Sequence, residues 1–248
     1  MTTTVGSPGD APAGLPHGCM PPFQLSFSLI CADFKNLGAT IRHLDRGGCD
    51  QYHFDVVDGR FARIIAVGPM VVASLRDATG LPFETHLAVW EPDLFLEDVA
   101  ASGSDIVTAN IEACPNAFRF VRRAKELGMK VGFALLPATP ISHVEHLLED
   151  LDLVVVMTVD AGFAGQPFVA QAVPKIRQLR EMAWRRGLKL DIAVDGHINQ
   201  RTIPTVVGAG ANVLVLGSSC GVLQDLEHAK DILSAIRSQA ESAMHYSD

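Results

Sequence analysis

Residues 153–157 read LVVVM and residues 212–217 read NVLVLG, two short, almost wholly apolar runs rich in valine. Runs of that length and composition are the mark of strands covered on both faces, as in a parallel sheet. Six more candidate strands share this character: 24–30 QLSFSLI, 51–57 QYHFDVV, 83–89 FETHLAV, 106–110 IVTAN, 130–136 KVGFALL and 189–194 KLDIAV. The intervening stretches carry helical period, among them 92–103 PDLFLEDVAASG, 115–128 PNAFRFVRRAKELG and 168–187 FVAQAVPKIRQLREMAWRRG. Leu94, Phe95 and Val99, and then Phe118, Val121, Ala124 and Leu127, recur at helical spacing. Gly103, Gly128 and Gly187 stand where a left-handed helix cap is wanted, and Pro92 and Pro115 where a first helical turn tolerates proline. Eight strands, each followed by helical sequence, predict an α/β fold: a single closed (β/α)8 TIM barrel. A doubly wound open sheet is the alternative, but no G-x-G-x-x-G opens its first helix.

Composition agrees. Of 248 residues, 48% are apolar and 19% charged, enough for a large core and too ordered a mixture for a disordered chain, a collagen or a coiled coil. Residues 1–22 hold five prolines and four glycines with no apolar period, and read as a flexible tail ahead of a barrel over 23–248. The formal charge of -8 leaves no basic footprint for nucleic acid. No apolar run reaches the length of a membrane-spanning helix, and no basic-then-apolar leader opens the chain. Cysteines 19, 31, 49, 114 and 220 are odd in number and contain no C-x-x-C pair, which fits a reduced, cytoplasmic compartment better than a secreted disulfide framework.

In barrels of this kind chemistry sits at the C-terminal ends of the strands. His53 and Asp55 lie two apart on the second strand and so share one face, the third gives His86, and Asp195 follows the seventh. A lone strand histidine is more often a packed core residue than a ligand. Four such groups on three otherwise apolar strands point instead to one divalent transition ion, of which Zn, Fe, Mn and Co all suit two imidazoles and two carboxylates. A second constellation is rich in glycine: 157–168 MTVDAGFAGQPF, 195–197 DGH and 217–222 GSSCGV. Backbone N–H groups exposed in such loops hold phosphate, and loops after strands seven and eight are a recurring phosphate site in barrels.

At these residues the sequence resembles the ribulose-phosphate 3-epimerase family, which includes the allulose-6-phosphate 3-epimerases. The likeness rests on 28–34 SLICADF, 53–61 HFDVVDGRF, 86–89 HLAV, 157–168 MTVDAGFAGQPF, 194–196 VDG and 209–219 AGANVLVLGSS, which occur in family order. It implies an isomerase that epimerises C3 of a ketose phosphate, either D-ribulose 5-phosphate or D-allulose 6-phosphate, by proton transfer between two carboxyl groups through an enediolate. It implies metal ligation by His53, Asp55, His86 and Asp195, with Asp55 and Asp195 also serving as the acid/base pair. Substrate contacts would come from Ser28, His53, His86, Met157, Gly162, Phe163, Ala164, Gly165, Gly196, His197, Gly217 and Ser218. It also implies a homo-oligomer. Where the family commonly has M-D-G-H-F-V-P-N, this chain has V-D-G-R-F-A-R-I, with Val57, Arg60, Arg63 and Ile64; Ala88 replaces a methionine, and His197 a glycine. These departures bear on the choice of sugar, since the ligand set is complete. Two rivals are a non-catalytic sugar-phosphate-binding barrel and an aldolase or isomerase on the same metal site.

Overall fold

Eight parallel strands close into a barrel in sequence order, with the last hydrogen-bonded to the first. They are β1 (Gln24–Ser28), β2 (Gln51–Val57), β3 (Phe83–Ala88), β4 (Ile106–Asn110), β5 (Lys130–Leu135), β6 (Leu153–Met157), β7 (Asp191–Asp195) and β8 (Val213–Leu216). This is the TIM barrel that the alternation predicts. The computed structural model describes residues 22–162 and 165–245, so the expected tail lies, Pro22 aside, outside the described residues. Among the described residues there are seven α-helices: α1 (Leu37–Gly47), α2 (Pro69–Leu75), α3 (Leu96–Ala101), α4 (Ala117–Glu126), α5 (Val173–Arg185), α6 (Ile203–Gly208) and α7 (Ala229–His245). Among the described residues no helix is long and apolar enough to cross a membrane.

Three expectations need correction. No α-helix follows β5; residues 141–143 form a single 3-10 turn, and the segment continues as turns in which Leu147 and Asp150 donate to carbonyls three residues back. Pro137 and Pro140 constrain its start, and its apolar residues Val144, Leu147 and Leu148 are buried without a full helix. Pro115 lies ahead of the α4 N-cap residue Asn116 rather than in the first turn. Phe118 and Leu94 face outward, 55% and 72% exposed, despite their helical spacing. The glycine caps stand as expected, with φ of 82°, 84° and 66° at Gly103, Gly128 and Gly187.

Two cores result from the two-residue period of the strands. The larger lies outside the barrel, where Phe27, Tyr52, Phe54, Phe83 and Phe133 meet the helices. The smaller lies inside and is one-sided: Ala134, Val155, Met157, Ala193 and Val213 fill the half built from β5 to β8. The other half is polar, with Ser26, His53, Glu84, His86 and Thr108 all buried. Buried polar groups persist only when paired or when they serve a ligand, so this asymmetry already locates the chemistry.

Close packing inside is severe at Gly132 on β5. A Cβ there would collide with the Leu153 carbonyl oxygen and lie 3.0 Å from the Thr108 methyl carbon. Backbone on a neighbouring strand cannot swing aside, so Gly132→Ala is expected to destabilise the fold by about 1–3 kcal/mol. Urea unfolding checks it, and a variant as stable as the parent contradicts it.

Candidate active site and metal centre

Strand register brings the predicted residues together. Asp55 on β2 pairs with His86 on β3, His53 with Glu84, and Met157 on β6 with Asp195 on β7. One ligand atom from each of His53, Asp55, His86 and Asp195 lies within 4.8 Å of all the others. Asp55 Oδ1 stands 3.1 Å from His53 Nε2 and 3.3 Å from His86 Nδ1, and Asp195 Oδ2 stands 3.8 Å from His53 Nε2. Ser28, at the end of β1, donates its hydroxyl to Asp55 Oδ2 at 2.7 Å.

A supporting layer lies below, and the sequence reading missed it. Glu84, fully buried, meets His53 Nδ1 at 3.0 Å and is itself bonded by the Thr108 hydroxyl at 2.9 Å. Asn110 Oδ1 accepts from His86 Nε2 at 3.0 Å. Each imidazole therefore has one nitrogen fixed from behind and the other turned to the carboxylates, the arrangement that sets tautomer and aim in metal-ligating histidines. The missed signal was available: Glu84 precedes His86 by two, as His53 precedes Asp55, so it shares the inward face.

Electrostatics fit a cation. Asp55, Glu84 and Asp195 bring three carboxyl groups into the barrel, and among the described residues their ion-pair partners are histidines only. Burial alone would push the His53 pKa down, but Glu84 and Asp55 outweigh it and hold the imidazole well above its ordinary value. Burial likewise opposes charge on Asp55, yet His53 and His86 keep it well below the carboxylate range. Asp195 goes the other way: burial, with Asp55 adding to it, pushes it up to about 6 against the pull of the histidines. Excess buried negative charge relieved only by a histidine proton, with two imidazoles and two carboxylates in reach of one point, is a donor set that suits a divalent transition ion.

The remaining predicted residues line the pocket above this cluster. Met157 borders it from β6, with Gly162 and Gly165 in the loop that follows. Gly196 and His197 come from the loop after β7, Gly217 and Ser218 from that after β8. Phe163 and Ala164 lie outside the described residues. At Gly196, where φ is +116°, a Cβ would fall 2.6 Å from a Val159 methyl, so glycine alone fits. On the opposite side Val57, Ala62 and Ala88 form a small apolar wall. Asp58 accepts from the N–H groups of Arg60, Phe61 and Trp90 and ties the loops after β2 and β3 together.

Sequence comparison decides the family. The model of the ribulose-phosphate 3 epimerase family matches residues 24–220. This chain belongs to the ribulose-phosphate 3-epimerase family. Among relatives of this family, the ribulose-phosphate 3-epimerase of Bacillus subtilis (strain 168) is 45% identical over 193 residues, covering 77% of this chain and 89% of that protein. The Escherichia coli (strain K12) ribulose-phosphate 3-epimerase is 33% identical, covering 91% of this chain and all (100%) of that protein. The chloroplastic ribulose-5-phosphate-3-epimerase of Arabidopsis thaliana is 40% identical, covering 86% and 74%. Among solved structures, a chain of Mycobacterium tuberculosis tryptophan synthase superposes with a TM-score of 0.59 at 17% identity, covering 90% of this chain and 93% of its own, which speaks for the barrel fold alone.

One prediction tests the supporting layer. Glu84→Gln keeps the shape but removes the charge behind His53, so metal affinity is expected to fall about 10–100-fold. Competition with a chromophoric chelator measures it, and unchanged affinity contradicts the role given to Glu84.

Proposed function

We propose that this protein is a metal-dependent ketose-phosphate 3-epimerase acting on D-ribulose 5-phosphate and D-xylulose 5-phosphate. The observation that carries this is the pairing of Asp55 and Asp195, from β2 and β7, within one four-residue ligand cluster at the floor of the pocket. Epimerisation removes the C3 proton from one face and returns a proton to the other, which needs two carboxyl groups flanking a planar enediolate. Asp55, held ionised, takes the proton; the C–H electron pair forms the C2–C3 double bond as the C2 carbonyl π pair moves onto its oxygen, and that oxygen pair re-forms the carbonyl when C3 is reprotonated. Asp195, drawn towards protonation, delivers its proton to the opposite face, and the two exchange roles for the reverse reaction. No net oxidation occurs. A divalent ion on His53, Asp55, His86 and Asp195 would supply Lewis-acid polarisation of the ketone and the neighbouring hydroxyl. Ser28 steadies Asp55 through its 2.7 Å hydrogen bond. The glycine-rich loops after β6, β7 and β8 take the phosphate, fixing the sugar so that C3 is presented to both carboxyls.

D-Allulose 6-phosphate is a second candidate, because the wall of Val57, Ala62 and Ala88 is low. Rates on the two sugars, offered separately to protein reconstituted with Zn, Fe, Mn or Co, decide between them. The expected result is a higher kcat/KM for D-ribulose 5-phosphate. The reverse order reassigns the substrate, aldose or cleavage products would mean an isomerase or aldolase, and turnover of neither sugar would overturn the proposal.

A further inference from the structure

His197 adopts a left-handed backbone, with φ of +55°. A side chain there is strained relative to glycine, and such strain persists only where the surroundings enforce it. They do so here. The Asp195 carbonyl accepts from the N–H and hydroxyl of Thr158 at 2.7 and 3.0 Å, and the Gly196 carbonyl accepts from the same hydroxyl at 2.5 Å. The His197 carbonyl accepts from Asn199 Nδ2 and Thr202 Oγ1, each at 3.1 Å, and the Ile198 carbonyl from Ser219 Oγ at 2.9 Å. Four successive acceptors are thus turned into the protein and away from any anion.

The side chain is placed with equal care. His197 lines the pocket with Gly196, Gly217 and Ser218, and its Nδ1 is buried with no hydrogen-bond partner among the described residues. A proton on Nδ1 would be an orphaned buried donor, so Nε2 is the donor nitrogen of the ring. We infer that His197 is a specificity-determining residue whose Nε2–H binds the phosphate monoester end of the ligand, adding a side-chain donor to a cradle otherwise made of backbone. The choice of anion rests on the epimerase reading; the strained, unpartnered histidine does not.

The test compares the parent protein with His197→Gly and His197→Asn. Glycine relieves the left-handed backbone and removes the donor, whereas asparagine tolerates the conformation and keeps an N–H donor. Calorimetric titration with inorganic phosphate is expected to show Kd raised about tenfold or more in His197→Gly, and less in His197→Asn. KM for D-ribulose 5-phosphate should rise by a similar factor, more than kcat changes. Meanwhile the Tm of His197→Gly should stay level or rise by about 2–4 °C, because strain is released. A merely structural histidine would not weaken phosphate binding while stabilising the fold. Equal phosphate affinity in parent and His197→Gly, no phosphate affinity in the parent, or weakened affinity with a lowered Tm would each overturn the inference. Because phosphate binding is read without turnover, an inactive parent that shows the His197 effect refutes the epimerase reading alone. An active enzyme with unchanged KM in His197→Gly refutes the His197 inference alone.

Discussion

Asp195→Asn is expected to lower kcat for epimerisation by about 10²–10⁴-fold, the usual contribution of a positioned acid or base. The substitution keeps the size of the side chain and an oxygen able to meet a cation, but it leaves nothing that can deliver or accept a proton at neutral pH. Asp195 holds the carboxyl that burial and Asp55 push up to about 6, so it is the member of the pair suited to carry a proton. Asp55 cannot substitute for it, because each carboxyl serves one face of the planar enediolate and the epimer needs its proton on the face away from Asp55. Rates measured beside the metal content of the same preparation separate the proton from the ligand. A variant that retains its metal and turns over within tenfold of the parent would contradict the assignment.

Stripping the metal is expected to have the other large effect, on stability as well as rate. Three carboxyl groups enclosed in the barrel, with histidines as their only ion-pair partners among the described residues, gain most from a divalent cation. At a thousandfold excess over Kd, a ligand that binds only the folded state stabilises it by about 4 kcal/mol. For a chain of this size that corresponds to a Tm shift of roughly 8–16 °C. Chelation should therefore lower Tm by that order and abolish turnover, and Zn, Fe, Mn or Co should restore both. Magnesium, which prefers oxygen ligands and keeps its waters, should restore far less. A Tm unmoved by chelation, in protein shown to be metal-free, would contradict the site.

Much of this was legible in the sequence, and the reasons are physical. Strands such as β2, β4 and β6 fall at the residues expected because a buried parallel sheet demands short, valine-rich runs. The ligands were legible because a polar pair two apart, His53 and Asp55, breaks an otherwise apolar run on a single face. Glu84 broke the third strand in the same way but was overlooked, since its function is expressed only through a neighbour on another strand: Glu84 matters because register sets it opposite His53. The segment after β5 misled for a different reason. Val144, Leu147, Leu148 and Leu151 have helical spacing, yet the chain buries them through successive three-residue turns. Spacing reports which residues are buried together, and several backbone paths can achieve that. His197 was visible as a residue, but its left-handed φ and its unpartnered nitrogen belong to the folded loop alone.

Proton NMR in D₂O, with metal-loaded protein and D-ribulose 5-phosphate, is the sharpest test of the two-carboxylate chemistry. The C3 proton signal should disappear as the epimer forms, with deuterium at C3 of the product, and Asp195→Asn should suppress both. Epimer that keeps its original C3 proton, or no exchange at C3 despite bound metal, would contradict it.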